Sequence, residues 1–235
     1  MNVNIIGKTI GTLGQEGVNY LARIAIEKKV SPNGLKGLSF ISYSAGGILL
    51  ACGTFARSPI NWIHILAGLL ICLAGLFDLV NEAVVRLSDN ARKFRTFTYS
   101  ILDCYADMII FTGAIFYFAL RQETIFVVIS ALALVGTVMM SYTSARAEAL
   151  FPGRYDSGYL KRPERLAVLI ITSIVNRLWV GMALIAILAN LATFYRVLNA
   201  RQTAFNLEHP QQAGRRHGST GSPAMLANPL LGFPY

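Results

Sequence analysis

Asp78, Asn81 and Glu82 stand at i, i+3 and i+4, and Arg86 continues the series one turn later. In a helix these four side chains share a face. Tyr99, Asp103 and Asp107 recur at intervals of four and define a second face. Only a short connection separates the two stretches, so the faces can meet. Asp78, Asn81, Glu82, Asp103 and Asp107 then form a set of oxygen ligands suited to a hard divalent cation, Mg or Mn, and a cation there suits a diphosphate. The same spacing is met by structural ion pairs between these acids and Arg86, Arg92, Lys93 and Arg95. Spacing alone leaves both readings open.

A second polar stretch, SYTSARAEALFPGRYDSGYLKRPERL, runs from Ser141 to Leu166. Arg146 and Glu148 close one apolar segment, and Arg162, Glu164 and Arg165 open the next. Arginine forks at the mouths of neighbouring helices can hold a phosphate bidentately. Retention of positive residues on one side of a membrane explains the same charges without a ligand, and composition alone favours that simpler account.

The elements that must position these residues are membrane helices. Of 235 residues, 54% are hydrophobic and only 14% charged, with a mean hydropathy of +0.50, too apolar for a soluble domain of this length. Uncharged runs of 20 residues separate Lys36 from Arg57 and Arg57 from Asp78, and one of 22 separates Glu123 from Arg146. Each can cross about 30 Å of hydrocarbon as a helix. Thr96 to Leu120 is equally apolar apart from Asp103 and Asp107, and Leu178 to Tyr195 is uncharged. Leu166 to Asn176 is short, and becomes a span if the charged RPER segment joins it or Arg177 snorkels at its far end. The expected fold is all-α and integral to the membrane, with six transmembrane helices.

This topology places all 21 Lys and Arg on one side except Arg57, Arg121 and Arg177, which assigns that side, with both termini, to the cytoplasm. The net charge of +9 then faces anionic lipid headgroups, and nucleic acid is a poor partner for basic residues sorted by membrane side. No cleavable signal peptide is expected, since the start is polar and mixed in charge. Residues 1–33 read as an interfacial amphipathic helix, weakened by Gly7, Gly11, Gly14 and Gly17, followed by a Ser31-Pro32-Asn33 turn. Residues 34–199 form the membrane domain, and 200–235 a polar, disordered tail. Cys52, Cys72 and Cys104 have neither metal-ligand spacing nor a disulfide framework, and read as small core residues.

Phe77 to Asp107, FDLVNEAVVRLSDNARKFRTFTYSILDCYAD, resembles the DxxDGxxARx8Gx3Dx3D motif of the CDP-alcohol phosphatidyltransferases. Asp78 matches the first aspartate, Arg86 the arginine and Asp103 the last aspartate, while Asp107 extends the acidic face. Asn81 and Tyr99 replace the second and third aspartates, Glu82 and Arg95 the two glycines, and Val85 the alanine. SPNGL at Ser31 to Leu35 is similar to the turn before the family's first membrane helix. SYTSARAE and RPERL resemble segments of the phosphatidylinositol phosphate synthase branch. The resemblance covers about residues 20 to 195.

The resemblance implies transfer of a phosphatidyl group from a CDP-linked lipid to an alcohol, such as a sugar or polyol phosphate, with release of CMP in phospholipid biosynthesis. It implies a Mg or Mn cofactor, with Asp78 as a metal ligand and Asp103 as the base. Arg86 becomes a nucleotide or phosphate contact, and Arg146, Arg162 and Arg165 the acceptor pocket. Glu82 is placed to replace a lost ligand, and Arg95 either to substitute for one metal's charge or to fill the site with an ion pair. The implied setting is the cytoplasmic membrane, with a homodimer as the family's common assembly. The alternative is an inactive relative that binds a lipid or nucleotide, or serves as a partner subunit.

Overall fold

A computed structural model describes residues 3–55, 61–88, 93–150 and 161–208. These form α1 (Val3–Glu27), α2 (Pro32–Cys52, prolonged by one 3₁₀ turn over Gly53–Phe55), α3 (Trp62–Leu87), α4 (Lys93–Leu120), α5 (Thr124–Leu150), α6 (Arg162–Ile174) and α7 (Leu178–Glu208). No strand occurs among the described residues. α2 with its 3₁₀ turn, α3, α4, α5 and α7 are long and apolar enough to cross a membrane. Side chains exposed along them are themselves apolar, including Ile48, Leu69, Phe116, Leu132 and Leu191, as expected where the solvent is lipid.

The sequence predicts six spans, whereas five helices reach spanning length and α6 has 13 residues, about 20 Å. Both ends of α6 are held. Pro163 fits its first turn, where no amide partner is needed, and the Glu164 carboxylate accepts the Lys161 amide at 3.0 Å. At the other end Asn176 adopts φ 58° in the turn that reverses into α7.

α1 is a single helix despite its glycines, and its side chains are described from residue 15 onward. It lies against α3 through a small apolar cluster of Ala22, Leu35, Val80, Ala83 and Val84. Ser31 then caps α2, its hydroxyl accepting the Gly34 amide at 3.0 Å, and Pro32 occupies the first turn. α7 continues past residue 200 to Glu208 because Ala200, Arg201, Ala204 and Leu207 favour helix and no proline intervenes before Pro210. The remainder of the expected tail, 209–235, lies outside the described residues, as do Arg57, Arg92 and residues 151–160.

α2 packs on both α3 and α4, α5 on α4 and α7, and α6 on α3 and α7. The core holds Tyr43, Ile71, Phe111, Phe118, Met140 and Met182. α2 and α4 run parallel and touch backbone to backbone, since a Cβ on Gly113 would lie 2.0 Å from the Gly47 carbonyl oxygen. Only glycine allows that approach. The contact fixes register: Lys36 lies about three turns before Gly47, and Asp103 about three turns before Gly113, so the two arrive at one level.

The opposite end of the bundle is closed mainly by neutral groups, with a partly exposed ion pair, Arg121 Nε to Glu123 Oε1 at 2.9 Å. Asn61 caps α3, accepting the His64 amide on Oδ1 at 3.2 Å. Its Nδ2 donates to the Gly53 carbonyl at 2.8 Å, and its own amide donates to Asn176 Oδ1 at 3.0 Å. Beneath it His64 is buried, edge-on to Tyr117 with ring centroids 4.4 Å apart.

Candidate active site

Four helices deliver charged groups to one point. Lys36, Ser39 and Tyr43 share a face of α2, Asp78 comes from α3, Asp103 and Asp107 lie one turn apart on α4, and Arg162 and Arg165 one turn apart on α6. Lys36 Nζ donates to Asp78 Oδ1 at 2.8 Å and also pairs with Asp103 Oδ1. Ser39 adds a second donor to Asp78 Oδ1 at 2.7 Å. Arg162 Nη1 bridges Asp78 Oδ2 and Asp103 Oδ1, each at 2.9 Å, while its Nε reaches Asp107 Oδ1 at 3.1 Å. Arg165 Nη2 completes the network on Asp107 Oδ2 at 3.1 Å.

Three carboxylates therefore face three cations, and the cluster is formally neutral. Neutrality is what allows charges this deep, because an unpaired buried ion costs several kcal/mol. Burial is uneven. The side chains of Lys36, Arg165 and Asp107 are 6%, 5% and 7% exposed, and Asp78 17%, but Asp103 is 29% exposed. All of Asp103's ion pairs fall on Oδ1, so it is the carboxylate a ligand can most readily reach. Two aromatic rings line the cations. The Arg162 guanidinium lies 5.0 Å from the centroid of the buried Tyr43 ring, and the Lys36 ammonium 5.7 Å from that of Tyr99, both within cation–π range. Arg162 Nη2 is buried and has no hydrogen-bond partner.

The structure thus gathers Asp78, Asp103, Asp107, Arg162 and Arg165 and leaves the other expected residues outside the ion-pair network. Asn81 is buried, with Oδ1 lacking a donor. Glu82, on the next position round α3, is exposed. Arg86 turns toward α1 and donates to Asn19 Oδ1 at 3.0 Å, and Arg146 is exposed on α5. The ions that neutralise the aspartates are not the nearby Arg86, Lys93 or Arg95 but groups distant in sequence. Lys36, Ser39 and Tyr43 escaped the sequence reading, in which Lys36 counted only as a positive residue flanking a span. Their spacing of three and four along one face was the available signal.

No protein-family model matches the chain. It is 28% identical over 197 residues to an archaetidylinositol phosphate synthase of Pyrococcus horikoshii, covering 84% of this chain and 89% of that protein. It is 26% identical over 191 residues to a phosphatidylinositol phosphate synthase of Mycobacteroides abscessus, covering 77% and 84%. The fold superposes on the crystal structure of the Mycobacterium tuberculosis phosphatidylinositol phosphate synthase with CDP-DAG bound, with a TM-score of 0.68 and 23% identity over 78% of this chain and 92% of that one. The chain is a relative of these archaetidylinositol phosphate and phosphatidylinositol phosphate synthases. A second structure of the mycobacterial protein holds manganese and citrate.

In this chain the donor set does not fit a divalent ion. Both oxygens of Asp78, both of Asp107 and one of Asp103 already accept from Lys36, Ser39, Arg162 or Arg165. Asn81 and Tyr99, which neighbour the cluster, add no further carboxylate. Among the described residues no group of three or more His, Cys, Asp or Glu side chains is disposed to hold a metal.

Proposed function

We propose that the chain transfers a phosphatidyl-type group from a CDP-linked lipid to the hydroxyl of a polyol phosphate, releasing CMP. The observation that carries this reading is the half-open Asp103 carboxylate among three fixed cations, in a relative of these synthases. In the transfer the acceptor oxygen forms a bond to the lipid-linked phosphorus, the phosphoanhydride bond to CMP breaks, and Asp103 takes the hydroxyl proton. A positioned base of this kind contributes about 10²–10⁴-fold. Arg162 Nη2, a buried donor without a partner, is placed to meet a phosphate oxygen and stabilise charge on it. Arg165 is tied to Asp107 and holds the network in shape, so the acceptor pocket reduces to Arg162 with Arg146 as an outlying contact.

The same reading gives α6 a membrane role. It extends from Asp78 to the level of Gly68, where Ile174 and Ser173 pack on α3, and it makes the sixth crossing, with α1 in the interface. Both termini and the site then face the cytoplasm, and the assembly is a homodimer in the cytoplasmic membrane.

A second reading, an inactive relative that binds a lipid or nucleotide, is favoured by the extent to which the aspartates are already engaged. Purified protein in nanodiscs, given CDP-diacylglycerol and either inositol phosphate or glycerol phosphate, separates the two. The assay is run with Mg, with Mn and with chelator. CMP release above a protein-free blank supports transfer, whereas its absence in every arm, with CDP-diacylglycerol still bound, establishes the second reading.

A further inference from the structure

We infer that Lys36 is the resident cation of this site: its ammonium occupies the gap between Asp78 and Asp103 that a divalent ion would need, so the cluster takes up neither Mg nor Mn. The inference concerns the same cluster as the transfer reading but does not depend on turnover.

Three observations converge on it. Lys36 is 4% exposed, and a lysine is almost never so buried unless its charge is paired. Its ammonium joins aspartates from two different helices, contacting Asp78 Oδ1 and Asp103 Oδ1, the bridging geometry of a metal between carboxylates. The positions beside the pair, Asn81 and Tyr99, supply no further carboxylate for a cation cage. Tyr99 carries no formal charge and offers its ring to the Lys36 ammonium, while its hydroxyl donates to Asn33 Oδ1 at 2.8 Å. Asn81 is a neutral amide. A site with three carboxylates and three internal cations is balanced without an exogenous ion.

The alternative, that a divalent ion simply joins the cluster, meets a physical obstacle. Approaching as the network stands, the ion would find no net negative charge. It would have to expel an ammonium from a pocket roofed by Tyr99 and already braced by Ser39 and Arg162. Without the lysine, Asp78 and Asp103 would face each other across Arg162 alone and carry a net negative charge. A hard divalent cation satisfies such a pair.

Mn binding measured directly on the full chain in nanodiscs, by loss of the free Mn paramagnetic resonance signal, tests this. Wild type should show no saturable binding, and Lys36→Arg, which keeps the charge, should behave likewise. Lys36→Met should bind one Mn at least about 10-fold more tightly than wild type, the direction set by removal of one contacting positive charge. Adding Asp78→Asn to Lys36→Met should abolish the gain. Saturable binding by wild type that Asp78→Asn removes would overturn the inference, as would a folded Lys36→Met variant that gains nothing. If Lys36→Met unfolds on extraction, rescue of its folding by Mn supports the inference, and failure of rescue overturns it. CMP release that requires added metal would sink the inference and leave the transfer reading standing. Metal-free CMP release supports both.

Discussion

The two ends of the helix bundle are held together by different chemistry. At the Asn61 end, apart from a partly exposed Arg121–Glu123 pair, contacts run from side chains to backbone groups. Asn61 and Asn176 tie the loops flanking α3 and α6, and His64 fills the space beneath. At the Asp78 end, the contacts are ion pairs between side chains of four helices, linked into one network. Neutral hydrogen bonds, even one that spans 115 residues from Asn61 to Asn176, can be lost one at a time at modest cost. A buried ionic network must be complete to be tolerated, since removing one member strands the others. The Asn61 end therefore serves the fold, and the Asp78 end trades stability for a concentrated field.

The sharpest way to break this contrast is at Asp103. Asp103→Asn is expected to lower CMP release by about 100-fold or more while CDP-diacylglycerol binding persists, measured by turnover and by lipid retention on the same preparation. Arg162→Met comes next. It removes the partner of all three carboxylates and should destabilise the protein by about 3–5 kcal/mol, read as a fall in the thermal midpoint in detergent. Gly113→Ala should cost about 1–3 kcal/mol through overpacking against Gly47. It should also disturb the Asp78 end more than the Asn61 end, a difference visible in site-specific hydrogen exchange. Asn61→Ala should cost about 1 kcal/mol, the loss of a helix cap, and leave CMP release unchanged. Equal effects of Arg162→Met and Asn61→Ala on stability would erase the distinction between the two ends.

The spans were legible because apolar runs of about 20 residues have few alternatives in a chain this hydrophobic. Asp78, Asp103 and Asp107 were legible for a related reason, since carboxylates inside such runs are costly enough to need an explanation. The cations were harder. Arg162 and Arg165 could be placed at a helix mouth but not against the acids, because their approach depends on α6 packing on α3. Lys36 could not be separated from topology-setting lysines, as one positive residue at the start of a span satisfies either role. Asn81 and Glu82 looked equivalent by spacing, yet adjacent positions on α3 differ by about 100° around the helix, and the packing of α1 and α2 buries one while leaving the other exposed. Arg86 was lost to α1, a helix whose docking no motif records.

The contact of Gly47 with Gly113 also sets a mechanical relation. α2 and α4 meet backbone to backbone over one turn, Gly47 against Ile109 and Gly113, and that turn can act as a pivot. The charged groups sit at the end of an arm about 15–16 Å long. A tilt of about 5° at the pivot moves Lys36 against Asp103 by about 1.4 Å, enough to turn a contact ion pair into a separated one. Whatever alters the packing of α2 on α4 at that turn thus has leverage over the openness of the carboxylate cluster without touching it.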